Sequence, residues 1–347
     1  MTKNNKKKII NFCFIAFSSI MLIYVLIRSN DVMSIYEALK QIRAEYIGMA
    51  IACLFMFWLL EAYMIYKLIL KFTDKKGNIA TFWLAVKTTL VGQYYSDITP
   101  GASGGQPVQL YIMKDDNVSL SDGTAILVEK FLLFQIGVTM YSLVLAIHKL
   151  KSLLEYTNGA SLLVILGLFV NILMVLGIWM LSIKPRAVGC VIEFIIEFLN
   201  KYKLVKNLDK KKASVAKFIN EYDISIKKMK SDKMLSLKLF ILTFVQLTLF
   251  FSITYFIYKS LNLSGTSIFE IICLQAFLYM SVSFIPVPGS IGVSEMGFVM
   301  LLGNVFSKNI IGTAILLWRG ISFYFSMIFS GIFVILVSIF KKYKVTI

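Results

Sequence analysis

Long apolar runs separated by short, charge-bearing stretches set the rhythm of this chain. A helix needs about 20 mostly apolar residues to cross hydrocarbon. Six runs meet that length, at roughly 9–27, 47–70, 123–147, 160–183, 235–258 and 310–339. Two more are interrupted. The run 79–96 leads into "SDITPGASGGQPVQLY" at 96–111, and the run 268–305 is broken by "FIPVPGSIGVSEMGF" at 284–298. This pattern predicts an all-α, polytopic membrane helix bundle. It has about six full spans plus two re-entrant broken-helix hairpins in inverted arrangement, all in a single integral membrane domain over 1–347.

Composition agrees with that reading. Of the 347 residues, 58% are hydrophobic and only 16% charged, too few for a soluble surface. The net charge of +17 would point to nucleic acid in a soluble protein. In a membrane chain without an aromatic-basic RNA motif, positive-inside bias and anionic headgroups account for it, so no nucleic-acid partner is expected. Cys13, Cys53, Cys190 and Cys273 are scattered and read as small apolar residues. His148 is the only histidine, which leaves almost nothing from which to build a metal site.

Lysine positions set the orientation. "MTKNNKKK" precedes the first run, which is too long for a signal-peptide core and lacks a small-x-small cleavage site. It reads as a retained span with the N-terminus in the cytoplasm. Lys71, Lys75 and Lys76, the lysine-rich loop 184–234 and the tail "KKYK" at 341–344 are all expected inside. Six full spans satisfy these constraints only if each interrupted run enters and leaves on one side, the first from the cytoplasm and the second from outside. Within the inner loop, Val191, Phe194, Ile195, Phe198, Leu199 and Tyr202 form an apolar stripe at helical spacing. The stripe suits either a helix on an anionic lipid surface or one packed on the protein's own inner face.

The interruptions carry the candidate chemistry. Irregular backbone survives at membrane depth only where it is buried in protein or lines a wet cavity. Pro100 and Pro107 break helix continuity, whereas Gly101, Gly104 and Gly105 permit positive φ and close approach. Thr99 and Ser103 are placed to cap the helix restarting near Pro107. Freed amides at such a break suit an anionic group, with Ser103, Gln106 and Gln109 as neutral hydrogen-bonding partners. Pro286, Pro288, Gly289 and Gly292 repeat the frame, since "PGASG" and "PGSIG" share Pro-Gly-x-x-Gly. Paired broken helices in the two halves point to an inverted-repeat transporter with a midplane site. Gly101, Gly104, Gly289 and Gly292 would then permit rocking.

Glu61, Lys87, Glu129, Lys130, Glu295 and Arg319 lie in or beside apolar sequence, where a charge costs about 2.5–3.5 kcal/mol on insertion scales. Arg319 is central enough that snorkelling is hard. Its guanidinium can hold a phosphodiester, pair with Glu295 or Glu129, or do both.

"TPGASGGQPVQLYIMK" (99–114), "ILVEKF" (126–131), "PVPGSIGVSEMGF" (286–298) and "WRGISFY" (318–324) together resemble the lysylphosphatidylglycerol synthase transmembrane, or flippase-like, family. Its larger members, the multiple peptide resistance factors, join this membrane region to a domain that transfers lysine from lysyl-tRNA to phosphatidylglycerol. The membrane part moves the product outward. The resemblance implies a lipid-handling module without the transferase domain, which the inner loop is too short to house. Three functions follow as expectations. The first is a translocase for an anionic, aminoacylated or polyprenyl-linked headgroup in the cytoplasmic membrane, contacted by Thr99, Ser103, Gln106, Gln109, Glu129, Lys130, Glu295 and Arg319. The second is a phosphatidylglycerol lysyltransferase or its membrane subunit. The third is a non-transporting partner of an envelope enzyme. Neither cofactor nor metal is expected, and no nucleotide-binding glycine loop is present. A phospholipid or lipid-linked substrate, an anionic lipid surface, a second copy of the chain and a separate lipid-modifying enzyme are the partners to expect.

Overall fold

A computed structural model of the protein describes residues 40–155, 167, 169–177, 179, 208–283, 285, 287 and 289–344. The described residues form helices and connecting turns. In order these are α1 (Ala44–Phe72), α2 (Ile79–Asp97), α3 (Gly105–Asp115), α4 (Leu120–Glu155), α5 (Leu208–Lys230), α6 (Lys233–Ser260), α7 (Ile268–Val282), α8 (Val293–Leu302) and α9 (Ile311–Arg319). A π-helical turn, Gly320–Phe325, then joins α9 to α10 (Ser326–Lys344). A further helical stretch covers 169–177.

The protein is a polytopic helical membrane protein. Four described segments are long and apolar enough to cross a membrane: Ala44–Phe72, Leu120–Leu143, Lys233–Ser260 and Ile311–Ile339. They correspond to four of the six runs expected from the sequence. The run 9–27 and the stripe at 191–202 lie outside the described residues, as does much of 160–183.

Local sequence explains where the helices start and stop. Asn78 caps α2 by accepting from the Thr81 amide at 2.9 Å, and Asp232 caps α6 by accepting from the Leu235 amide at 2.9 Å. Ser267 does the same for α7 through the Glu270 amide at 3.2 Å. At the end of α1, the Thr73 amide and hydroxyl both donate to the Ile69 carbonyl, at 2.9 and 2.7 Å, and Lys71 sits in the last turn.

α1 and α6 form the central antiparallel pair. At one end the Arg43 amide donates to the Ser260 carbonyl at 3.0 Å, and Asn262 Nδ2 donates to the Gln41 carbonyl at 2.9 Å. At the other end Lys71 Nζ meets Asp232 Oδ2 at 3.6 Å and donates to Ser231 Oγ at 3.2 Å. The buried apolar residues divide accordingly. One cluster gathers Leu54, Phe251, Phe277, Phe298 and Phe306 toward the Arg43 end. The other gathers Ile65, Phe72, Met113, Ile126 and Leu239 toward the Lys71 end.

The basic helix α5 belongs to the Lys71 end. Ser225 Oγ donates to Asp122 of α4 at 2.8 Å, Ser121 Oγ donates to Glu221 at 3.0 Å, and Lys228 Nζ donates to the Phe72 carbonyl at 3.4 Å. Tyr222 is fully buried against this end of the bundle. The second half of the basic loop is therefore a helix docked on the protein.

Each interrupted run folds as a helical hairpin. In α2 and α3, Gly92 lies beside Gln109, Ser96 beside Gly105, and Thr99 beside Gly104, a register that runs antiparallel. In α7 and α8, Gly297 lies beside Leu278, and the Ser290 hydroxyl reaches the Val282 carbonyl at 3.4 Å. The first hairpin leaves the bundle's Lys71 end after α1, and the second leaves the opposite end after α6. The two are therefore inserted in opposite directions.

Candidate functional site

The tip of the first hairpin is built by glycine and stitched by threonine. Gly101 and Ala102 both take the left-handed conformation, at φ 56° and 54°. For alanine this costs about 1–2 kcal/mol, so the surrounding structure has to enforce it. Thr99 does so: its hydroxyl donates to the Tyr95 carbonyl at 2.6 Å and accepts from the Gly104 amide at 2.8 Å. One side chain thus satisfies backbone groups on both sides of the break. A Cβ on Gly104 would stand 2.6 Å from Thr99 Cγ2, and one on Gly105 would stand 2.9 Å from the Gly92 carbonyl oxygen. Pro107 falls in the first turn of α3, where an amide hydrogen has no helical partner to lose.

The second tip is held by Arg319. Gly289, Ser290 and Gly292 have φ of 58°, 50° and 83°. The carbonyl of Gly289 accepts from Arg319 Nη2 at 2.9 Å. Nη2 also donates to Ser294 Oγ, and Nε donates to Glu295 Oε1 at 2.6 Å. The other oxygen of Glu295 accepts the Gly292 amide at 2.6 Å, capping α8. The guanidinium lies 5.0 Å from the Trp318 ring centroid and 5.4 Å from that of Phe323. Arg319 and Glu295 are 6% and 1% exposed, so the pair is shielded from solvent and lipid alike. The π turn begins directly after Arg319, and such turns often mark functional positions in helices.

Both tips face one cavity of about 560 Å³. Gly101, Ala102 and Ser103 line it from the first hairpin, and Ser283, Val287, Gly289 and Ser290 from the second. α1 contributes Leu54, Phe57, Trp58 and Glu61. Glu61 sits between the two apolar clusters along α1, at the level where Trp58 ends one and Met64 begins the other. Its carboxylate pairs with Lys130 of α4 and accepts from Gln246 of α6 at 2.9 Å.

Charge in this chamber is mostly balanced internally. Glu61 meets Lys130, and Arg319 meets Glu295. Asp97 differs. It is 9% exposed, lines the cavity, and is held by neutral donors, Gln93 Nε2 at 2.9 Å and Ser326 Oγ at 3.0 Å. Two buried donor groups on the wall, Trp58 Nε1 and Thr89 Oγ1, have no hydrogen-bond partner among the described residues. Buried donors of this kind normally find an acceptor, so the chamber is chemically incomplete as it stands.

Of the residues singled out from the sequence, Gly101, Ser103, Gln106, Gln109, Lys130, Gly289 and Arg319 share the cavity wall. Glu295 stands behind Arg319. Thr99 and Gly104 close the first tip on itself, and Gly105 packs against Gly92 and Ser96. Glu129 is directed elsewhere and accepts from Ser236 Oγ at 3.0 Å near the Lys71 end. Lys87 pairs with Asp116 at 2.7 Å within the first hairpin. Pro286 and Pro288 lie outside the described residues. Trp58, Thr89 and Asp97 were not singled out. Asp97 lies inside the quoted stretch, but Trp58 sits in an uninterrupted apolar run, where nothing in the sequence separates a chamber residue from a lipid-facing one.

The family model described as the lysylphosphatidylglycerol synthase TM region matches residues 11–330. A UPF0104 membrane protein of Archaeoglobus fulgidus is 24% identical over 301 residues, covering 84% of this chain and 86% of the relative. No solved structure matches the chain.

Proposed function

The chain belongs to the lysylphosphatidylglycerol synthase transmembrane family, and on that premise we propose that it is a lipid translocase. In this reading it carries a phosphate-bearing headgroup through the chamber while the acyl tails stay in the bilayer. The observation that carries the reading is the meeting of two oppositely inserted hairpin tips around one cavity with unsatisfied donors on its wall. A volume of about 560 Å³ lies in the range of small-molecule sites, which accommodates a headgroup but not two acyl chains.

Arg319, Trp58 Nε1 and the Ser103, Gln106 and Gln109 side chains supply hydrogen bonds to phosphate and glycerol oxygens. Lys130, leaning on Glu61, adds a cation that can exchange partners with an anionic headgroup. Thr99 and Glu295 act through the backbone and Arg319 rather than on the lipid, and Glu129 braces α4 against α6. The glycines permit close packing of the hairpin arms. The basic Lys71 end faces the cytoplasm of a cell membrane, with both termini on that side. A second copy of the chain or a separate lipid-modifying enzyme supplies any further subunit.

Reconstitution tests the proposal. Liposomes containing the purified chain and fluorescent phosphatidylglycerol are scored with an impermeant quencher. Protein should speed exchange between leaflets, and Arg319→Ala should slow it at least tenfold. Exchange no faster than in protein-free liposomes would discard the reading.

A further inference from the structure

Among the described residues, Asp97 is the chamber carboxylate that no cation holds. Its two oxygens are divided between two elements: Oδ1 accepts from Gln93 Nε2 on its own helix at 2.9 Å, and Oδ2 accepts from Ser326 Oγ of α10 at 3.0 Å. Asp97 is the last residue of α2, where the first break begins, and Ser326 is the first residue after the π turn that follows Arg319. The Asp97–Ser326 bond therefore joins the end of one broken hairpin arm to the helix that continues, through the π turn, from the one carrying the guanidinium anchor of the other.

Among the described residues, the charged and titratable groups around Asp97 leave it uncompensated. Arg319 of α9 acts on it through space but is bonded to Glu295 of α8. Glu61 of α1 and Lys130 of α4 line the same chamber and pair with each other. Tyr94 and Tyr95 flank it on α2, and Tyr324 lies in the π turn. α3 carries Tyr111, Lys114 and Asp115, and α10 carries Lys341, Lys342, Tyr343 and Lys344. These stand away from the break, in the later turns of their helices. A carboxylate within a membrane bundle that lacks a fixed cation is the kind of group that carries protons in transporters.

We propose that Asp97 is a proton-operated latch that couples headgroup passage to a transmembrane proton gradient. The proposal rests on the translocase reading and names its energy source. Ionised, Asp97 accepts the Ser326 hydroxyl and ties the first hairpin to α10. When a proton from the medium binds Oδ2, that oxygen becomes a donor and no longer needs the Ser326 proton. The hydroxyl can turn to the Ser322 carbonyl one helical turn back, a bond serines already make elsewhere in α10. The hairpin is then released from α10. Loss of the proton to the opposite side restores the bond, so one proton crosses per cycle and no other reactant is needed.

The experiment uses full-length protein in liposomes holding fluorescent phosphatidylglycerol and an internal pH dye. Lipid exchange is followed with no gradient, with an imposed pH difference and with that difference collapsed by a protonophore. For the wild type, a gradient should change the exchange rate at least threefold, reversal should invert the effect, and protons should move with lipid. Asp97→Asn should keep gradient-independent exchange while losing both the gradient response and the proton signal. Ser326→Ala keeps the carboxylate but cuts the latch, and it should pass protons without a matching lipid response. Wild-type exchange that ignores the gradient, or an Asp97→Asn protein that still responds to it, overturns the coupling while leaving translocation standing. Wild-type exchange equal to that of empty liposomes removes both.

Discussion

Arg319 Nε donates to Glu295 Oε1 at 2.6 Å, and the same glutamate accepts the Gly292 amide through its other oxygen. This single carboxylate orients the guanidinium and caps α8, so the second hairpin tip and the chamber's buried cation are one structure. Removing one member of a buried, hydrogen-bonded pair leaves the other charge uncompensated and costs about 3–5 kcal/mol. Glu295→Gln and Arg319→Met should each lower stability by about that much, with the double variant losing clearly less than the sum, a coupling of about 1–3 kcal/mol. Thermal unfolding in detergent, run as a double-mutant cycle, reads this directly. Additive losses would show that the two side chains do not act as a pair.

Hairpin glycines should separate by what stands opposite them. Gly105→Val places a branched side chain against Ser96 and the Gly92 carbonyl, and overpacking of this kind costs about 1–3 kcal/mol. A methyl group on Gly48 of α1 would meet nothing within 4 Å, so Gly48→Ala should stabilise the helix by about 0.5–1 kcal/mol. Melting temperatures of the two variants should therefore move in opposite directions.

Trp58→Phe offers a sharper test of the chamber. The ring stacks on Phe329 at 5.3 Å and meets Phe55 edge-on at 5.4 Å, and phenylalanine preserves much of this packing. What disappears is an indole N–H without a partner among the described residues. Stability should change little, while headgroup affinity falls by about 1 kcal/mol, roughly fivefold. Binding titrations with short-chain phosphatidylglycerol alongside melting curves would reveal the split. A drop in stability with unchanged binding would assign the indole to packing alone.

Asp232, at the start of α6, governs a response to acid. The Leu235 amide bond, then the Lys71 and Lys238 charges, hold its carboxyl below the ordinary 3.8. A depressed carboxyl pKa contributes stability that is fully present above 3.8 and is lost as pH falls through the lower folded value. Asp232→Ala should thus reduce stability at neutral pH, and the difference from wild type should shrink below pH 3.8. Paired melts at about pH 7 and about pH 3 check the sign.

Much of this architecture was legible in the residues. Proline and glycine in an apolar run can only mean interrupted helix, and lysine placement gave the two hairpins opposite directions. Arg319 stood out because a cation in so apolar a run needs a partner. Other features were hidden for geometric reasons. Glu129 and Lys130 are adjacent, yet successive positions on a helix point about 100° apart. One reaches Ser236 and the other Glu61, a division that cannot be read without knowing which face of α4 meets α1. Thr99 looked like a headgroup ligand because a hydroxyl beside a break is a free hydrogen-bonding group until the backbone closes around it. Asp97 stands at the polar edge of a span in the sequence, and only the approach of α10 makes it interior.

The stitching of the tips has a mechanical consequence. Thr99 ties both sides of the first break, and Arg319 ties the second break to α9, so neither tip can unravel without losing several bonds together. Each hairpin is accordingly a stiff lever, and its fulcrum must lie where the arms join the bundle, in the connections around Thr73–Asn78 and Leu261–Ser267. Displacement of a tip is then set by the length of the arm, so a small tilt where the arms join the bundle is magnified where the tips meet.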